Sequence, residues 1–419
     1  MGWEATVCSL RTRAGLAALL LLAGCGDSKE GQLAAEKDPF DESVVTTYEI
    51  TIDPADWDAM VADPDSNVWR RMTLTWEGET WNDVAVHPSG QNSRIPGNPK
   101  PSLHLSFEEF VPSRHFHKLP SIKLDGQIDD PALMRERMTY ALARSWGMVA
   151  PREVHARVVV NGVYKGLFTA EERINKRFVK SHYGEPENQV YKFAGIHHDF
   201  FDLGDDPSRY VPDMFEAHAE TIPPGAEGIR DLVVTINRGT YDATAAMFDI
   251  DVFIRELAVE TVTGEEDAYL AGPDENGITW SNNFYLYKVP ATGKYTMIPW
   301  DRNEGYWRLP ADSSITEAFD RHILTQKLIL DRPENLARFK ELLLQLLNGP
   351  GATAIVQSRF DAIYSQIRPH MEVEPVNPVR PRSYQIWLWE TEELRLYLQQ
   401  RNDGVRQQLE PPPPPGGGT

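Results

Sequence analysis

Val154-His-Ala-Arg-Val-Val-Val160, Asn161-Gly162, Val163-Tyr-Lys-Gly-Leu-Phe-Thr-Ala170 is the stretch that decides the fold. β-Branched and aromatic residues fill both arms, and Asn-Gly suits the two left-handed corners of a type I′ turn, so two antiparallel strands are predicted here. Upstream, Tyr48 to Ile52, Met72 to Trp76, Val84 to Val86, Leu103 to Phe107 and Ser121 to Leu124 read as further strands. Asp53-Pro54 reads as the N-cap and first residue of a helix with Trp57, Met60 and Val61 on one face. Asp130-Pro131 opens a second helix in which Met134, Met138, Ala141 and Leu142 share a side, and Gly147 stands where a C′ glycine ends it.

Downstream, Met247 to Val262 reads as a mostly buried helix. Asn283 to Tyr287 and Lys294 to Ile298 form a hairpin around Pro290-Ala-Thr-Gly293 that runs straight into Pro299-Trp300-Asp301. The C-terminal third is helical. Asp331 is expected to cap a helix with Leu336, Phe339, Leu343 and Leu346 in register, ended by Asn348-Gly349-Pro350, and Leu394 to Leu398 belong to a final helix. Residues 410–419 are a Pro/Gly-rich tail, and no internal repeat is present.

Composition limits the function. The 419 residues carry 41% hydrophobic and 10% aromatic side chains, enough for a large core, and a net charge of −20 that opposes phosphate backbones; nucleic-acid binding is not expected. Arg11 and Arg13 precede the apolar run Ala14 to Ala23, too short for a stable span, and Leu22-Ala-Gly-Cys25 resembles a bacterial lipobox. A signal peptide over 1–24, lipidation at Cys25 and a tether over 25–43 follow as expectations, with export to the cell envelope and the outer membrane preferred. The remaining cysteine, Cys8, would leave with the signal, so thiol nucleophiles and cysteine zinc sites are excluded.

The order strand with a central lysine, helix, hairpin, large helix, polar loop, strand pair and aspartate matches a two-lobed protein-kinase-like α+β fold. Phosphoryl transfer needs a lysine, metal-holding oxygens and an acid facing the nucleophile. Lys123, flanked by Ile122 and Leu124, is either a phosphate contact or a solvated edge-strand lysine. The chain also resembles the CotH-type (spore-coat-protein-H-like) atypical kinases. The likeness runs through Lys118 to Leu124, Arg135 to Gly147, Ala150-Pro151, Val160 to Phe168 with Glu171, Tyr191-Lys192, Asn283 to Tyr287, Gly293-Lys294, Ile298 to Asp301, Arg332 to Glu334 and Leu394 to Arg401.

That resemblance covers residues 44–409 and implies a β-rich N-lobe over about 44–172 and a mainly helical C-lobe over about 173–409. It implies that Lys123 holds nucleotide phosphates, that Glu136 pairs with it, and that Glu171 lies at the adenine side of the connector. It implies Asp301 and Asn283 as metal ligands and Asp267 as catalytic-loop acid, with Asp274 as competitor. ATP with Mg2+ or Mn2+ is the implied cofactor, and Ser/Thr of a surface or envelope protein the implied acceptor. The rival is a catalytically silent adhesion or envelope-binding module. No glycine-rich loop and no His-Arg-Asp triplet of the ordinary kinase kind occur.

Other readings stay open at this point. His115-Phe-His117 with His197-His198-Asp199 is a weak zinc reading without His-Glu-x-x-His. Trp76, Trp81, Trp300, Trp307, Trp387 and Trp389 are read as core in preference to a glycan platform.

Overall fold

The structure is a computed structural model that describes residues 37–410, apart from 92, 185–189, 195–198, 213, 218–225 and 273–278. Cys25, Asp274, His197, His198 and the 411–419 tail lie outside the described residues. Everything described from Asp38 onward belongs to one unit.

Seven strands close into a barrel: β1 (Thr46–Ile52), β2 (Arg70–Trp76), β3 (Glu79–Pro88), β4 (Leu103–Ser106), β5 (Ser121–Asp125), β6 (Glu153–Val160) and β7 (Val163–Glu171), in the spatial order β1-β2-β3-β4-β5-β7-β6. β1 completes the ring by pairing with β6 in parallel. Helix α1 (Pro54–Ala62) follows β1 and is capped by Asp53, whose carboxylate accepts from Ala55 N–H, with Trp57 and Met60 buried. The Asn161-Gly162 turn has φ of 49° and 78°, the left-handed pair that a type I′ turn requires. The β-rich character of this part is legible in the alternation; closure into a barrel is not, because it depends on partners far apart in sequence.

Between β5 and β6 stands α2 (Arg135–Ser145). It starts later than the sequence predicts: residues 131–134 form turns folded onto Asp130, whose fully buried carboxylate accepts from the N–H groups of Ala132, Met134 and Arg135 and pairs with the Arg135 guanidinium. Further on come α3 (Lys176–Tyr183), β8 (Val190–Phe193), β9 (Phe215–Ala217), α4 (Ala226–Arg238), α5 (Tyr241–Ala246) and α6 (Ile250–Thr263). β10 (Phe284–Lys288) and β11 (Tyr295–Pro299) are the expected hairpin, and with β8 and β9 they form a second sheet in the order β11-β10-β8-β9.

The helical end contains α7 (Ile323–Thr325), a π-helical turn over Gln326–Leu330, α8 (Pro333–Asn348), α9 (Thr353–Met371) and α10 (Tyr384–Leu409). Asp331 is not the cap of α8: Arg332 holds that position without a side-chain bond, and Asp331 accepts from Gln326 instead. The segment between α9 and α10 fastens the helices to the barrel. Glu374 pairs with Lys100 at 2.7 Å and accepts the Leu167 N–H at 2.7 Å, while Arg382 donates to the carbonyls of Gln127, Ile128 and Asp130. Gly166 makes room for this, since a Cβ there would sit 2.4 Å from the Glu374 carboxylate.

Candidate active site on the outer wall of the barrel

Alternation places the chemistry. Ile122 and Leu124 of β5, Phe168 and Ala170 of β7, and Val154 and Ala156 of β6 fill the barrel core. The residues between them, Lys123 and Asp125, Thr169 and Glu171, Glu153 and His155, therefore point outward. Lys123, Thr169, Glu171, Glu153 and His155 are nevertheless buried, and Tyr140 of the neighbouring α2 reaches the same wall through Glu171. A one-residue slip of β5 would exchange Lys123 for its apolar neighbours, so the same pattern that builds the core fixes the site.

Lys123 is 3% exposed and pairs with Asp125 at 2.9 Å and Glu171 at 2.8 Å, with the Trp300 ring 4.9 Å away. This removes the solvated-edge reading. It also corrects the assignment of Glu136: the ion partners of Lys123 are Asp125 and Glu171. Glu136 instead accepts from the Tyr140 hydroxyl at 2.9 Å and from Arg302 N–H at 3.2 Å. Glu171, expected at the connector, is fully buried against the lysine. Burial opposes the Lys123 charge, but Asp125, Glu171, Asp301 and Glu136 together hold its pKa well above the ordinary value. For Glu171, burial outweighs the attraction of Lys123 and lifts the pKa to about 7. With more acids than cations in the cluster, burial and the Glu171 and Glu153 charges push the Glu136 pKa well above the ordinary carboxyl value.

The other three expected residues interlock beside this cluster. Asn283 Nδ2 donates to Asp267 Oδ2 at 2.8 Å, to the Asp267 carbonyl at 2.8 Å and to the Asp301 carbonyl at 3.3 Å. Asn282 donates to Asp267 Oδ1 at 3.0 Å. Burial raises the Asp267 pKa to about 7; the Asn282 and Asn283 bonds pull it down, and the Asp301 and Glu304 charges push it further up. Asp301 follows β11 with φ 51°, Asn283 precedes β10 with φ 54°, and Gln127 after β5 has φ 55°. Three non-glycine residues in the left-handed region around one cluster are costly and are held by their neighbours, a pattern found at functional sites.

No hydrogen bond or ion pair among the described residues occupies the Asp301 carboxylate or Asn283 Oδ1. Both are therefore free to ligate a divalent ion. No three His, Cys, Asp or Glu side chains among the described residues gather to hold a metal alone. A Mg2+ bound here would be completed by phosphate oxygens, the usual arrangement for that ion.

Sequence reasoning passed over four members of the site. Asp125 stands two residues from Lys123 on the same strand face, and Tyr140 four residues from Glu136 on α2; both spacings were visible. Arg302 is 1% exposed and pairs with Glu256 at 2.6 Å and Glu260 at 3.0 Å on α6. Glu260 also accepts the N–H groups of Tyr269 and Leu270, so it ties the Asp301 segment to the Asp267 loop. Glu153, opposite Glu171 in register, had no sequence signal.

Of the zinc reading, only His115, His117 and Asp199 fall among the described residues, and among these the geometry does not support it. His117 lies in a tight turn with φ 46°, not in an extended run, and faces Glu79, while His115 pairs with Glu108. Asp199 accepts from Ser281 and Ile323 N–H and lies beside His322. Ser281 and Asp199 meet His322 at the same ring nitrogen, which is not the relay of a nucleophilic triad. Trp76, Trp300 and Trp387 are buried, whereas Trp389 is 60% exposed.

The family description CotH kinase protein matches residues 86–405, and the chain belongs to that family. Inner spore coat protein H of Bacillus subtilis (strain 168) is 24% identical over 298 residues, 68% of this chain and 77% of that protein. A solved structure of the Shewanella oneidensis MR-1 toxin–antitoxin system HipA, HipB and operator DNA aligns with 82% of this chain and 66% of its own, just under two thirds, at 14% identity and a TM-score of 0.32. That likeness is too loose to assign a role to any residue.

Proposed function

We propose that this protein is an exported atypical kinase, anchored by lipid on Cys25, that transfers the γ-phosphoryl group of ATP to Ser or Thr of a surface or envelope protein. Its two lobes would be the barrel side and the helical side of the cluster. The observation that carries this reading is the interlocking of Asp267, Asn283 and Asp301 beside the buried Lys123. Family membership supports it.

In this reading Asp301 and Asn283 hold the divalent ion, which neutralises phosphate charge when bound. The acidic group of Asp125, Asp129, Asp301 and Glu304, whose charges act on one another, would repel bare ATP and favour the metal complex. Lys123 neutralises phosphate oxygens after yielding its contact with the more accessible Asp125. Asp267 accepts the proton of the acceptor hydroxyl as its oxygen forms the bond to γ-phosphorus, and the bond from phosphorus to the β-γ bridging oxygen breaks to release ADP. The second reading, a silent binding module, is favoured by one observation: Lys123 is closed off by two acids and Trp300, with 4% of its side chain exposed.

The test is incubation of the mature protein with γ-labelled ATP and Mg2+ or Mn2+, beside Asp301→Ala. Label on the protein or an added acceptor that disappears in the variant is expected. No label, together with no ATP-induced rise in Tm, overturns the kinase reading in favour of the silent module.

A further inference from the structure

We infer that Tyr140 is the positioning residue that sets the metal-holding Asp301 and the Lys123 ion cluster on one common reference; this rests on the kinase reading above. Tyr140 lies in the middle of α2 and is fully buried. Its hydroxyl accepts the Asp301 N–H at 2.9 Å and stands 2.9 Å from Glu136 Oε1 and 3.2 Å from Glu171 Oε1. Glu171 in turn pairs with Lys123 at 2.8 Å. A single oxygen thus touches the backbone of one working residue and the counter-ion of the other.

The Asp301 turn needs such a hold. Its φ of 51° is unfavourable for a side-chain-bearing residue and persists only where the surroundings impose it. The N–H groups of two successive residues are taken by side chains one turn apart on α2: Asp301 by Tyr140, Arg302 by Glu136 at 3.2 Å. Asn283 Nδ2 takes the carbonyl of Asp301 at 3.3 Å. All backbone restraint is therefore external, and the carboxylate is left without a hydrogen bond or ion pair among the described residues. That is the arrangement expected when a ligand must be aimed without being used up.

Tyr140→Phe keeps the ring in the core and removes only the hydroxyl. Groups that orient a metal ligand typically affect metal affinity by 10- to 100-fold. The Mn2+ half-saturation constant, read by electron paramagnetic resonance of free Mn2+ with a non-hydrolysable ATP analogue well below Tm, is expected to rise about tenfold. The transfer rate at saturating Mn2+ should recover to within about threefold of the parent protein. A purely structural role would lower Tm and leave the Mn2+ constant unchanged, and that result overturns the inference. Should Tyr140→Phe fail to fold, Glu136→Met, which keeps the bulk and removes the oxygen that accepts from both the Tyr140 hydroxyl and the Arg302 N–H, is expected to raise the constant about threefold. An unchanged constant there overturns the inference too. If the parent protein binds neither Mn2+ nor nucleotide, the kinase reading itself falls and takes this inference with it; parent binding with an unaltered variant removes the inference alone.

Discussion

Two buried cations flank Tyr140, and the contrast between them separates a structural pin from a site. Arg302 is 1% exposed and pairs with Glu256 and Glu260; Lys123 is 3% exposed and pairs with Asp125 and Glu171. Around Arg302 the acids come from the rigid face of α6, and Glu260 spends its remaining capacity on the backbone of the Asp267 loop. Lys123 instead lies beside a strained backbone, the partly exposed Asp125 and the unengaged carboxylate of Asp301. Burial and pairing are common to both. What sets the Lys123 side apart is the partly exposed Asp125 and an Asp301 carboxylate that no hydrogen bond or ion pair among the described residues engages; buried atoms without a hydrogen bond occur on both sides, Arg302 Nε and Glu256 Oε2 among them.

The sharpest way to break this contrast is to remove each cation. Arg302→Met leaves two buried carboxylates on α6 without a counter-ion and is expected to cost about 3–5 kcal/mol in denaturant unfolding. Lys123→Met should lower phosphoryl transfer by about 10²–10³-fold while costing less than half as much stability, because Glu171 already sits near neutrality and can take up a proton. Equal stability losses would show that the two cations play the same part.

The next effect concerns pH. Asp267 and Glu171 are raised to about 7, Glu256 to about 8, and Glu136, Glu153 and Glu265 well above the usual carboxyl range, burial being the first cause in each. Above pH 6 the unfolded chain has lost these protons, whereas the folded chain gives up those of Asp267 and Glu171 only near 7 and that of Glu256 near 8, so stability falls as pH rises through that window. His155, depressed by burial and by Arg137, acts in the opposite direction only below about 6.5, the value of a free histidine. Unfolding free energy should therefore drop by about 1–4 kcal/mol between pH 6.5 and 8. A rise over that window would contradict the proton-rich cluster.

Catalysis should move the other way. Asp267 must be ionised to take a proton, so the single-turnover rate is expected to climb up to about tenfold per pH unit below about 7 and then level. A flat profile would move the acid role away from Asp267. The smallest effect is at the rim: Asp129 lies 3.4 Å from Arg380, both partly exposed, and Asp129→Asn should change stability by less than about 1 kcal/mol. A larger loss would place this pair among the structural pins.

Much of the framework was legible because its signals are local. Asp53-Pro54 begins α1, Asn161-Gly162 turns β6 into β7, and the alternation around Lys123 places it between two core residues. Asp267, Asn283 and Asp301 were selected by resemblance and order, and the structure brings them together. Illegible were the start of α2, set by the buried Asp130 carboxylate, and the cap of α8. The pairing of Glu136 with Lys123 failed because i,i+4 contact with Tyr140 and the Arg302 N–H claim that carboxylate first.

Sequence by itself determined which residues alternate, which turns close and which segments are helical, since these depend on neighbours within a few positions. Only the tertiary structure decided that seven strands form a ring, that its outer wall is buried, and that Tyr140, Glu171 and Asp301 meet. Those outcomes rest on contacts between distant segments, such as Tyr140 and Asp301, 161 residues apart, and no local preference encodes them.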